Sequence, residues 1–114
     1  MDNYYISGNK LIFEAGNVVK FDFPVSKTLI IDQCLIILLN VPGKTSYNQN
    51  IFAVNFNGEI VWQIERSAEL DKIGGCPFVG IEINKSELVC FSGCGFRFTV
   101  DPASGQVTSQ IFAK

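Results

Sequence analysis

Histidine is absent from the 114 residues of this chain, methionine and tryptophan occur once each, and arginine stands only at Arg66 and Arg97. Each scarcity excludes something. Without imidazole there is no common general base at neutral pH, no usual partner for a serine or cysteine nucleophile, and no favourite metal ligand. Nine basic against eleven acidic residues leave a formal charge of −2, far from the basic excess of a nucleic-acid binder. The opening Met-Asp-Asn-Tyr-Tyr is neither basic nor followed by a long apolar stretch, so no signal peptide is expected. The most apolar segment, Thr28 to Val41, is interrupted by Asp32 and Gln33 and is too short to span a bilayer. It is read as a buried strand, and no membrane association is expected.

What is present is apolar and β-prone. Hydrophobic residues make up 47% of the chain, enough for one core, so residues 1–114 are read as a single domain. With no leader in view, the four cysteines, Cys34, Cys76, Cys90 and Cys94, are expected to be free thiols in a reducing cytoplasm. A zinc site would show close CxxC pairs, and none is present.

Short runs of Phe, Val, Ile and Tyr, punctuated by glycine and asparagine, predict an antiparallel meander of about ten strands. Tyr4–Ile6 and Lys10–Phe13 flank Ser-Gly-Asn, and Val18–Phe23 alternates until Pro24. In IFAVNFNGEIVWQIE, Asn57-Gly58 supplies a turn. A two-residue loop there would split the large apolar side chains between faces. A three-residue loop with Gly58 as a bulge pairs Val54 with Ile60 and Phe52 with Trp62, and is preferred. Arg66 to Ile73 is the one expected helix, capped by Ser67 and stopped at Gly74-Gly75. Hairpins are expected about Asn84-Lys85-Ser86 and about DPASG, where Asp101 bonds forward to turn amides and Gly105 closes the turn.

Glycine turns recur at Gly16, Gly58 and Gly105, at intervals near the length of a four-stranded propeller blade. NIFAVNFNGEIVWQIE resembles the outer hairpin of quinoprotein-type (PQQ-like) β-propeller repeats, in which an apolar strand, an Asp/Asn-x-x-Gly turn and a strand ending in Trp recur. FTVDPASGQVTSQIF is similar, with Ser109 or Gln110 where the tryptophan would stand, and KLIFEAGNVVKFDF is a fainter copy. The resemblance implies blade-like hairpins, but a full ring needs at least four blades. The chain is therefore expected to close as a compact small sandwich or barrel, the alternative being an incomplete propeller whose flank a homodimer would cover. The quinone cofactor of that wider class sits on the axis of a full ring, so no cofactor is expected.

Candidate chemistry is sparse. Glu82 and Glu87, and Glu59 and Glu65, alternate with apolar residues as solvated positions do. Asp32 is read as a bend between strands, the alternative being a buried carboxylate. Gly43-Lys44-Thr45 lacks the first glycine and the helix of a phosphate loop, and the glycine pairs at Gly93–Gly95 and Gly74-Gly75 lack the helix. Tyr47, in a polar loop, is the best candidate for an exposed contact. These features favour a non-catalytic interaction module whose partner is another protein or a second copy. The alternative is a small-molecule binder or minor enzyme with a pocket near Cys90, Cys94 and Asp32.

Overall fold

A computed structural model describes residues 4–112. The described residues form eleven strands and one short helix, in three antiparallel sheets taken up in strict chain order. The first sheet holds β1 (Tyr4–Ser7), β2 (Lys10–Phe13) and β3 (Val18–Lys20). The second holds β4 (Val25–Ile31), β5 (Cys34–Leu39), β6 (Ile51–Asn55) and β7 (Ile60–Gln63). After α1 (Ala68–Ile73) come β8 (Phe78–Asn84), β9 (Glu87–Ser92), β10 (Phe96–Val100) and β11 (Val107–Phe112) of the third sheet. The chain is all-β, as expected. No sheet closes into a barrel, because each meander simply stops at its first and last strand.

Burial explains the stacking. In β5, Leu35, Ile37 and Leu39 join a core with Leu11, Phe13, Val19 and Phe21 of the first sheet and its exit. The alternate residues Ile36 and Leu38 join a second core with Ile81, Leu88, Cys90, Phe98 and Val100 of the third sheet. A strand apolar on both faces must be covered on both, so the second sheet lies between the other two. The run from Thr28 to Val41 is thus two strands, divided at Asp32 by the bend expected there. Ile31 pairs with Cys34 across a tight turn in which Asp32 (φ 49°) and Gln33 (φ 63°) both take left-handed backbone.

Three further expectations are corrected. β3 ends at Lys20 rather than Phe23, the chain leaving the sheet before Pro24, which has no N–H for a ladder. The helix begins at Ala68 rather than Arg66, where the Ser67 hydroxyl accepts from the Leu70 N–H. In the Asn57-Gly58 hairpin the three-residue loop forms: Asn55 N–H donates to Glu59 O (2.9 Å) and Gly58 N–H to Asn55 O (3.0 Å), with Gly58 at φ 82°. Val54 pairs with Ile60, but Trp62 pairs with Ala53 and Phe52 with Gln63, because Val61 is an extra, bulged residue. The bulge sends Trp62 to the core shared with the third sheet, while Phe52 packs on the core shared with the first.

Candidate functional site

Of the pocket weighed as the alternative near Cys90, Cys94 and Asp32, only the part at Gly93 and Cys94 forms. Cys90 is fully buried between Ile81 and Phe98 on neighbouring strands, and burial pushes its thiol up to about 12. It is neither accessible nor acidic. Cys94 is not a free thiol but is joined to Cys76 in a disulfide, which overturns the expectation of four reduced cysteines. The chain reversal through Gly93 to Gly95 brings the two residues to a Cα separation of 6.0 Å, an ordinary bridging distance. A hollow of about 240 Å³ beside the disulfide is lined by Val41, Gly43, Pro77, Val79 and Cys94. Neither Cys90 nor Asp32 reaches it. Cys34 is the second free cysteine; burial and then the nearby Asp32 charge raise its pKa.

Tyr47 is half-buried rather than exposed, its ring 5.1 Å from that of Phe23. Burial, and then the charge of Asp22, raise its hydroxyl pKa. With Asn48, Gln49, Arg66, Asp71 and Gly74 it lines a polar hollow of about 360 Å³. Asp71 is held below the usual carboxylate range, first by its hydrogen bond from Arg66, with which it forms an ion pair. Asn48 donates to Gly74 O (2.7 Å) and Asp71 Oδ1 (3.3 Å) and accepts from Cys76 N–H (2.7 Å). Asn48, Gln49, Arg66 and Asp71 of the hollow are thus bonded to one another or to backbone. No group of three or more potential metal ligands occurs among the described residues.

Two asparagines in the loop before β6 went unread in the sequence. Asn50 is fully buried: it donates to Leu39 O (2.9 Å) and Phe78 O (2.8 Å) and accepts from Phe78 N–H (2.8 Å), tying the second sheet to the third. Asn48 does the same for the helix end and Cys76. The only available signal was their place just before a strand start, which many solvated loop residues share.

The turn residues have geometric roles at the joints between sheets. Asp101 accepts from Ala103 N–H and from the Ser104 hydroxyl, both at 3.0 Å. The indole of Trp62 donates to Pro102 O (2.8 Å) and lies flat against Gly105, where a Cβ would come within 2.6 Å of the ring. Glu65, read as solvated, accepts from Val107 N–H (2.7 Å) across the same joint. At the other joint Asn17 donates to Asn57 O (2.7 Å) and packs on Gly58, where a Cβ would come within 2.9 Å of it. Gly16 has the corresponding turn, with Phe13 N–H donating to Asn17 O and Gly16 N–H to Phe13 O, but nothing lies within 4 Å of its Cβ position.

The remaining candidate surfaces are the outer faces of the terminal sheets. Strand alternation turns Tyr5, Ile12, Val18, Lys10 and Lys20 outward from the first sheet. Outward from the third turn Glu82, Glu87, Phe91, Arg97 and Ile111. Tyr5 is 60% exposed, Val18 54% and Ile111 56%.

A family described as Domain of unknown function (DUF7957) matches residues 1–112. The chain belongs to this family. No curated protein matches it significantly. Among solved structures, that of the computationally designed Ika8 protein is similar, with a TM-score of 0.58 over 97% of this chain at 11% identity. This DUF7957 chain spans 36% of that chain, and the likeness is one of fold. No helix among the described residues is long and apolar enough to cross a membrane.

Proposed function

We propose that this chain is a non-catalytic protein-interaction module: an incomplete fan of blade-like sheets that makes contacts through the outer faces of its first and third sheets. The observation that carries the reading is the exposure of Tyr5, Val18 and Ile111 on those two faces, whereas β5 of the second sheet is covered on both sides. Large side chains left in water on a sheet face are unfavourable unless something covers them. The likeness to part of a longer chain supports the blade-like reading, since the same fold there belongs to a larger body. The high thiol pKa of Cys90 and the bonding of Asn48, Arg66 and Asp71 to one another or to backbone favour contact over catalysis. A cytoplasmic setting loses its ground in the Cys76–Cys94 bond, because such bonds persist chiefly in oxidising compartments.

The test is site-specific photo-crosslinking in the native cell, with the photoreactive residue at position 5, 18 or 111 and at Lys72 on the helix as control. Protein adducts at the three face positions, and none at Lys72, are expected. Equal yields at all four positions, or adducts at Lys72 alone, refute the reading.

A further inference from the structure

We propose that two copies of this chain associate head to tail, the outer face of the third sheet of each seated on the outer face of the first sheet of the other. The proposal rests on the reading of these faces as contact surfaces and names their occupant. Two fans of three sheets then complete a ring of six, within the four to eight sheets from which propeller rings are built. A two-fold axis relates the two identical joints, so no face is left over.

Charge complementarity points to a second copy. The first sheet presents Lys10 and Lys20 in one cross-strand row, beside the apolar row Tyr5, Ile12 and Val18. The third sheet presents Glu82 and Glu87, with the apolar Phe91 and Ile111 in the row that also carries Arg97. One face thus carries two positive charges and the other a net negative one, each beside an apolar patch. Opposite faces attract, while two copies of the same face repel, which selects head-to-tail order over face-to-same-face pairing.

The turn glycines are the second argument. At both joints inside the chain a turn glycine receives a side chain of the preceding sheet: Gly58 receives Asn17, and Gly105 receives Trp62. Gly16 holds the corresponding place in the first sheet and faces open space. The third joint of the series would seat a third sheet against it. Gln106 stands in its turn where Asn17 stands in the first, since Asp101 N–H donates to Gln106 O as Phe13 N–H does to Asn17 O.

Size-exclusion chromatography with light scattering tests the assembly. The wild-type chain is expected to show the mass of two copies, constant as concentration rises. The K10E/K20E and E82K/E87K variants should each run as monomers, because both faces then carry one sign. Mixing the two variants in equal amounts should restore the two-copy mass, each reversed face meeting its opposite. All four substitutions are at exposed positions, and circular dichroism confirms folding before mixing. Carbodiimide crosslinking of mixed 14N and 15N chains should join Lys10 or Lys20 of one copy to Glu82 or Glu87 of the other. A monomeric wild type, a mass that climbs with concentration, a mixture that stays monomeric, or dimers without these crosslinks overturns the proposal. A monomeric wild type whose position 18 still crosslinks to a different protein in cells defeats self-association but leaves the interaction module standing.

Discussion

The contact between Trp62 and Gly105 makes the packing of the second sheet on the third measurable by a double-mutant cycle. Trp62 is 7% exposed, its ring lies on Gly105 and its Nε1–H is bonded to Pro102 O. Trp62→Ala should cost about 3–5 kcal/mol, as for other large buried aromatics. Gly105→Ala acts twice: it forces an alanine into φ 78°, at about 1–2 kcal/mol, and drives a Cβ to 2.6 Å from the indole, at about 1–3 kcal/mol more. In the Trp62→Ala background the steric part vanishes, because the atoms it struck are gone. The cost of Gly105→Ala should therefore fall by about 1–3 kcal/mol between the two backgrounds. Urea unfolding followed by far-ultraviolet circular dichroism provides the four stabilities, since the chain's one tryptophan cannot serve as a probe in every variant. An equal cost of Gly105→Ala in both backgrounds would refute the packing argument and leave only backbone strain at the turn.

Other consequences are equally direct. Reducing the Cys76–Cys94 bond, or replacing both residues by serine, should destabilise the chain by about 3 kcal/mol from loop-closure entropy across the 18-residue separation, read as a lower melting temperature. An unchanged melting temperature would show that the bond does not constrain the chain. Asn50→Ala strips partners from Leu39 O and from both backbone groups of Phe78, and should cost about 3 kcal/mol or more in urea unfolding; a loss below about 1 kcal/mol would contradict the staple. The Cys90 thiol is raised on folding from 9.0 to about 12, so its thiolate forms first in the unfolded chain. Its contribution to stability is complete below pH 9 and declines by about 1.4 kcal/mol per pH unit from there toward pH 12. Cys90→Val should flatten that part of the stability profile, and an unaltered slope would count against burial as the cause. In native labelling under non-reducing conditions, Cys34 should react, slowly and faster as the pH rises, while Cys90 reacts only after unfolding.

The hairpins were legible because their determinants are local. Asn57-Gly58 and the Asp101–Gly105 turn are settled by side-chain-to-backbone bonds and left-handed glycines within a few residues. The Ser67 cap was readable for the same reason. The Thr28–Val41 run was harder: its two strands share one hydrophobic signature, and only the paired left-handed residues at the turn divide them. Of the candidate site, the sequence marked Tyr47, Cys90 and Cys94 as chemically interesting, but their environments depend on distant segments.

By itself, then, the sequence determined an all-β chain of short antiparallel hairpins, through its β-branched and aromatic runs, its turn residues and the absence of helical periodicity. Tertiary structure alone decided which face each side chain serves. One bulged residue, Val61, moves Trp62 from opposite Phe52 to opposite Ala53 and makes it the link to the third sheet. Tertiary structure alone also joined Cys94 to Cys76 and set Asn50 between two sheets. The physical reason is common to all of these. Backbone preferences act over a few residues, whereas bulge placement, cysteine pairing and the burial of an amide depend on surfaces that meet only once the sheets have stacked.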